Sequence, residues 1–380
     1  MLVDEGVPTR LKHRWSLEGN YLYGITARRW FEVLKANGFR VSPAYWHRAA
    51  VLSVVSLFNS YEAWREGLDF GEQVANTELA GAPFFILGHF RSGTTHLHNL
   101  IAKDPQFGTP STYQACAPFT FLRTEEKATR RYGWMLPERR TSDNVAVSFE
   151  EPQEDELALS QLCGVSPYLG MSFPERAAHY ERFFTFAEAN HRDVERWEEA
   201  LRWFMRKLTV RHKKPLVLKS PSHTARVARL VDMFPDAKFV HIRRNPYDVF
   251  RSSMKFFDTT LWYVLLQRPN QTVLEGVLRR YRMIYDAYLR ETHTVPQGNL
   301  VEVRFEDLEV DPMGTLERIY GELGLPGFGP FADQARAYLA SLGEYKKNPK
   351  VPIAPELIAQ IQERWRPIFR AFDYDLDDYR

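Results

Sequence analysis

Residues 83–100 read Pro-Phe-Phe-Ile-Leu-Gly-His-Phe-Arg-Ser-Gly-Thr-Thr-His-Leu-His-Asn-Leu, and no other stretch limits the architecture as much. Phe84 to Leu87 is an unbroken apolar run, which suits a strand buried on both faces of a parallel sheet. Gly88, Ser92 and Gly93 then permit a tight turn, and Thr94, Thr95, His96, Leu97 and Leu100 have the spacing of an amphipathic helix start. Strand, glycine turn and helix N-terminus together form a cradle for an anion, because unpaired amides and the helix dipole both favour phosphate-like charge.

Against the nucleotide-triphosphate P-loop, G-x-x-x-x-G-K-[ST], the match fails at one informative place. Gly88 and Gly93 keep the spacing and Thr95 keeps the hydroxyl, but Thr94 stands where the lysine for the terminal phosphates belongs. The basic group has moved into the loop as Arg91. This favours a diester-like anion with a short transferable group over ATP. The plain alternative is an ordinary βα loop, since glycine turns after strands are common.

Arg91-Ser-Gly-Thr-Thr95 after a buried strand resembles the 5′-phosphosulfate loop of the sulfotransferases that use 3′-phosphoadenosine 5′-phosphosulfate (PAPS). Those enzymes carry lysine or arginine at the position of Arg91. The resemblance implies that Arg91, Ser92, Gly93, Thr94 and Thr95 hold the 5′ end of that cosubstrate. A second stretch agrees. Ala237 to Ile242 reads as a strand that runs into Arg243-Arg244-Asn245-Pro246-Tyr247-Asp248-Val-Phe-Arg251-Ser252. This resembles the family's 3′-phosphate motif, in which an arginine at a strand end and a serine further along the next helix grip the phosphate. Arg244 and Ser252 fit, because two helical turns bring the serine back to the same side. A P-loop ATPase would want an aspartate there to hold magnesium. This strand ends in arginine.

Pro215 to Leu218 is another buried-strand run, and it leads into Lys219-Ser-Pro-Ser-His223. Residues just past the C-terminal ends of parallel strands line the crevice where α/β proteins bind ligands. The cytosolic and tyrosylprotein sulfotransferases have a lysine at the end of the corresponding strand, which implies that Lys219 neutralises charge on the bridging oxygen. The cytosolic type has a histidine base two residues later, where this chain has Pro221, and the nearest histidine is His223. The tyrosylprotein type has a glutamate base in the loop after the cradle helix. Here that loop, Pro110-Ser-Thr-Tyr-Gln114, has no carboxylate.

The next acidic cluster runs from Glu150 to Glu156. Acids after Pro152 in a first helical turn can simply compensate the helix dipole. An apolar helix follows, however, and would turn one carboxylate inwards, where a raised pKa suits proton abstraction. Glu154 and His223 therefore both stand as candidate bases, His223 equally as an ordinary histidine near a helix start. Lys346 and Lys347 fall where related enzymes place a basic loop over the 3′-phosphate, and they read equally as soluble surface.

The 50 basic and 48 acidic residues among 380 leave a net charge of +2, so nothing in the balance asks for nucleic acid and the anion site must be local. Cys116 and Cys163 are too few for a disulfide framework, and the charged N-terminus lacks the apolar core of a secretory signal. Both point to the cytoplasm. The first eighty residues read as helical. Within them Ala49 to Phe58 is the most apolar run, too short to span a bilayer. It suits a core or docking helix, or an interfacial helix in peripheral contact with lipid or a greasy acceptor. Gly67 to Ala82 reads as a polar connector. Pro174 to Lys214 and Val273 to Arg290 read as packing helices, Phe256 to Gln271 as an irregular lid, and Leu300 to Val303 as a fourth strand.

The expectation is one α/β domain with a mainly parallel sheet flanked by helices. Its P-loop-like nucleotide core covers residues 83–325, with helical additions over 1–82 and 326–380. The resemblance implies transfer of a sulfuryl group from PAPS, without a metal, to a hydroxyl or amine of a small-molecule, lipid or glycan acceptor. A P-loop nucleotide kinase and a catalytically silent nucleotide-binding protein are the competing readings. The 18 Tyr, 26 Phe and 9 Trp suit an apolar acceptor, although most must pack the core. Neither the acceptor nor the oligomeric state is legible.

Overall fold

The computed structural model describes residues 2, 6–8, 10–132, 148–342 and 350–379. Its centre is a sheet of four parallel strands, β1 (Phe84–Leu87), β2 (Val217–Lys219), β3 (Lys238–Arg243) and β4 (Leu300–Arg304), in the order β2-β1-β3-β4. All four form where apolar runs predicted them. Phe84 faces Val217 on one side and Lys238 on the other, which sets the C-terminal ends of β1, β2 and β3 side by side.

The sheet separates two cores, and alternate residues of each strand serve each of them. Phe85, Leu87, Leu218 and Phe239 face the larger core, which also takes residues from Tyr21 to Tyr374. Phe84, Ile86, Val217, Val240 and Val301 face the smaller one. Being covered on both faces explains why these strands read as continuous apolar runs. Tyr281, Tyr285 and Tyr288 are buried in the helix Val273–Glu291, and Tyr281 stacks on Trp365 with ring centroids 3.8 Å apart.

Two segments differ from their sequence expectation. The apolar run 49–58 belongs to a 31-residue helix, and the supposed connector is helical as far as Asn76. With α1 as Ala27–Ala36, this long helix is α2, Trp46–Asn76. Gly67 and Gly71 sit where an added Cβ would meet nothing, so they serve no turn. Side-chain pairs hold the helix instead, Glu66 with Lys207 and Glu62 with Arg123. Likewise the supposed lid begins as helix, because Pro246–Thr260 is continuous and only then gives a short 3-10 turn at Leu261–Tyr263.

A second device fixes the end of β2. Residues 154–156 open the helix Asp155–Leu162, and each carboxylate takes a different base from the segment that follows β2. Glu154 meets Lys219 at 2.7 Å, Asp155 meets His223 at 2.6 Å, and Glu156 meets Arg226 at 2.8 Å. The last two pairs are fully buried. Glu156→Ala would leave the Arg226 guanidinium uncompensated in the interior, at a cost of about 3–5 kcal/mol. Urea denaturation should show that loss as a lower midpoint at unchanged slope.

Candidate active site

The loop after β1 is wound tightly. Gly88 has φ 148° and Gly93 has φ 101°, and between them Arg91 holds φ 68°, a left-handed conformation uncommon outside glycine. A Cβ at Gly88 would stand 2.7 Å from the Ile242 carbonyl oxygen, and one at Gly93 would stand 2.2 Å from the Phe305 ring. Neither position has room for a side chain. Thr224 ties the loop to the segment after β2, its hydroxyl accepting from the Gly88 N–H at 2.7 Å and donating to the Gly88 carbonyl at 3.1 Å.

Helix α3, Thr94–Ile101, starts directly from the loop. Its first internal hydrogen bond runs from the Leu97 N–H to the Gly93 carbonyl, so the amides of Thr94, Thr95 and His96 point out of the helix end. Ser92 takes a different part from the one expected. Its N–H and its hydroxyl both donate to the His89 carbonyl, at 3.1 and 2.8 Å, so it shapes the loop from within. The Thr94 side chain is buried, whereas Thr95 stays half-exposed at the helix mouth.

Arg91, Arg244 and Ser252 come together across more than 150 residues of sequence. Arg91 Nε donates to Ser252 Oγ at 2.9 Å, and Arg244 Nη1 donates to the Arg91 carbonyl at 3.4 Å. The Arg244 guanidinium lies 4.2 Å from the centroid of the Phe305 ring, the same ring that closes on Gly93. Phe305 thus packs both turns against one another. Arg243, the other strand-end arginine, turns away to the Phe372 carbonyl at 2.7 Å.

Beside the cradle, Lys219 is buried and meets the half-buried Glu154. The other Glu154 oxygen accepts from the Tyr168 hydroxyl. Burial, and then the Glu154 charge, push the Tyr168 hydroxyl well above its ordinary value, so it remains a donor at neutral pH. His223 is enclosed between Asp155, the edge of Phe85 and Trp197. Both of its ring nitrogens are buried, Nε2 against Asp155 and Nδ1 with no hydrogen-bond partner among the described residues. Lys346 and Lys347 lie outside the described residues.

Tyr168, Phe305 and Thr224 were not picked out by sequence reasoning. Thr224 stands one residue past His223 and Phe305 directly after β4, so strand-end position was their available signal. Tyr168 had none, because only the fold brings it to Glu154.

Next to Tyr168 an apolar pocket opens, lined by Pro167, Met171, Phe184, Phe257 and Trp262 among others, with Arg280 and Glu181 paired in its wall. Phe90 of the cradle loop touches both Tyr168 and Phe184, with ring centroids 5.8 and 6.3 Å apart, so the loop and the pocket share a wall. Among the described residues no group of His, Cys, Asp and Glu could hold a metal ion.

A parallel sheet with a glycine turn after β1, a lysine at the end of β2 and an arginine after β3 is a P-loop-like arrangement. A family model described as "Sulfotransferase family" matches residues 83–330. The chain is 34% identical over 353 residues to the omega-hydroxy-beta-dihydromenaquinone-9 sulfotransferase Stf3 of Mycobacterium tuberculosis, and equally to that of Mycobacterium bovis, covering 93% of this chain and 90% of theirs. The solved sulfotransferase STF9 of Mycobacterium avium superposes with a TM-score of 0.64 at 18% identity, covering 93% of this chain and 98% of that one. STF1 of Mycobacterium tuberculosis gives 0.61 at 17% identity, covering 92% and 93%. The chain belongs to the sulfotransferase family and is a sulfuryl-transferring enzyme. The kinase and silent-binder readings fall with that assignment.

The buried His89 and His98 and the partly buried His212 leave a signature in the pH dependence of stability. Burial pushes His89 down to about 3 and His212 to about 4, and holds His98 well below its ordinary value, with the Lys219 charge adding to the effect. The unfolded chain takes up these protons near the ordinary value, while the folded chain stays neutral until far lower pH. Their stability is therefore present above about pH 6.5 and lost as pH falls, by about 1.4 kcal/mol per pH unit for each histidine. Urea denaturation at stepped pH should show the slope, and His89→Gln should remove one histidine's share.

Proposed function

We propose that the enzyme transfers the sulfuryl group of PAPS to the hydroxyl of an acceptor with an apolar, lipid-like body, with Glu154 as the general base. The observation that carries this reading is the contact of Glu154 with Lys219 at 2.7 Å, beside an anion cradle and next to an apolar pocket. A base needs reach to the acceptor, and the half-exposure of Glu154 supplies it. The Stf3 relatives, named for an omega-hydroxylated dihydromenaquinone, support a hydroxyl on an apolar body. The reading is of a cytoplasmic enzyme that meets its acceptor at a membrane surface.

The tightly drawn loop suits a phosphosulfate, since its positive-φ glycines wind the chain closely enough for α3 to start with the amides of Thr94, Thr95 and His96 open. Arg244 and Ser252 would fix the 3′-phosphate, with Arg91 between the two ends. In the free chain Lys219 holds Glu154. With the donor bound, Lys219 shifts towards the bridging oxygen and frees Glu154 Oε1, while Tyr168 keeps the other oxygen in place. The acceptor O–H then gives its proton to Glu154 as its oxygen bonds to sulfur. The bond from sulfur to the 5′-phosphate oxygen breaks, and the electron pair leaves on adenosine 3′,5′-bisphosphate, where Lys219 and Arg91 meet the new charge.

Transfer of labelled sulfate from PAPS to a long-chain primary alcohol tests this directly. Lys219→Ala and Glu154→Gln should each lose roughly 10²–10⁴-fold in turnover while calorimetry shows adenosine 3′,5′-bisphosphate still binding. His223→Asn should lower stability and leave turnover of the folded fraction near wild type. Loss of turnover in His223→Asn at intact stability, with Glu154→Gln still active, would move the base to His223.

A further inference from the structure

Helix α2 buries two charged residues among its inward ones and leaves a row of apolar ones in water. Surface helices normally keep charge towards water and apolar residues towards the core. In α2, Arg48 points inwards and donates to the carbonyls of His13, Ser16, Trp262 and Leu265, while Glu66 is buried against Lys207. The outer face carries Val54, Leu57, Tyr61, Trp64 and Leu68 at the three- and four-residue spacing of one helical stripe, with Phe58 beside Leu57, each between 50% and 69% exposed. Single exposed apolar residues need no explanation, but a continuous stripe does.

Further exposed aromatic residues accompany the stripe. Trp46 is exposed at its first residue, and on the neighbouring α1, joined through Trp30 Nε1 to Ser53 Oγ at 2.9 Å, Phe31 is exposed between Arg28 and Lys35. Between α1 and the helix His191–His212 a groove holds Arg29, Arg196, Arg202 and Arg206 against one lining carboxylate, Glu199, with Glu32 at its edge bonded to Arg29 and Arg196. Exposed aromatic rings with Arg28, Arg29 and Lys35 on α1 form the pattern of a surface that lies in a lipid headgroup layer, while on α2 Glu62 and Asp69 are both taken by Arg123 and Glu72 is exposed. A second copy suits it less, because a two-fold contact would set the same arginine-rich rim against itself.

We propose that the outer faces of α1 and α2 dock on an anionic lipid bilayer, lying in its headgroup layer. The Arg48 contacts make this useful, for they join the first turn of α2 to the Trp262–Leu265 segment, and Trp262 lines the acceptor pocket. The docking helix is thereby tied to the pocket wall, and a lipid-bodied acceptor drawn from the bilayer would reach Glu154 through that pocket. That route rests on the acceptor reading above, whereas the docking itself does not.

Flotation of the full chain with vesicles tests it, using phosphatidylcholine mixed with phosphatidylglycerol and phosphatidylcholine alone. Wild type should float with the mixed vesicles, less so with neutral ones or at high salt. Leu57→Glu with Phe58→Glu should weaken partitioning roughly tenfold or more. Arg202→Glu with Arg206→Glu should weaken it on anionic vesicles only. Both variants should keep wild-type binding of adenosine 3′,5′-bisphosphate and wild-type transfer to a short water-soluble alcohol. Because flotation is read without acceptor, failure of the acceptor reading would leave its result standing. Wild type that fails to float, or a Leu57/Phe58 variant that floats equally, overturns the proposal. A solution dimer split by those two substitutions, without flotation, overturns it in favour of a second copy.

Discussion

Three successive carboxylates meeting three bases is the contact on which the site depends. Glu154, Asp155 and Glu156 open one helix, and Lys219, His223 and Arg226 follow one strand. A buried ion pair gains little over an apolar pair, but it is intolerant of mismatch, since either partner alone is a stranded charge. One such pair, Glu156 with Arg226, and the buried Asp155–His223 hydrogen bond beside it leave the helix one position relative to β2. That position sets the third and most accessible pair, Glu154 with Lys219, at the crevice.

The anion side is built differently, from backbone shape more than from side-chain charge. Glycines at 88 and 93 and the left-handed Arg91 bend the chain so that α3 begins with its amides outward. The buried histidines nearby, His89 and His98, are neutral at physiological pH and add no positive charge. Cationic charge comes from Arg91 and Arg244, which the Phe305 ring and the Arg91 carbonyl hold together. Parallel pairing of β1 with both β2 and β3 brings these two sources of order to one edge of the sheet.

The strands and the two basic turns were legible in the sequence because local signals dictate them. A doubly covered strand must be apolar throughout, and a left-handed turn at such close quarters wants glycine. The candidate base was legible only as a choice, because His223 and Glu154 both lie near a helix start and only tertiary packing decides which stays accessible. Tyr168 was invisible, since a tyrosine fourteen residues from Glu154 carries no mark of its partner. The helical run through Gly67 and Gly71 misled for the opposite reason. Glycine lowers helix propensity by about 1 kcal/mol per residue, and the contacts of Glu62 and Glu66 outweigh it.

The central claim is that two turns, one after β1 and one after β3, hold opposite ends of one doubly phosphorylated adenosine. A crystal structure with adenosine 3′,5′-bisphosphate tests it most directly. The account predicts the 5′-phosphate on the amides of Thr94 to His96 and the 3′-phosphate on Arg244 and Ser252. A nucleotide bound with Arg244 turned to solvent, or with its 5′-phosphate away from α3, would contradict it.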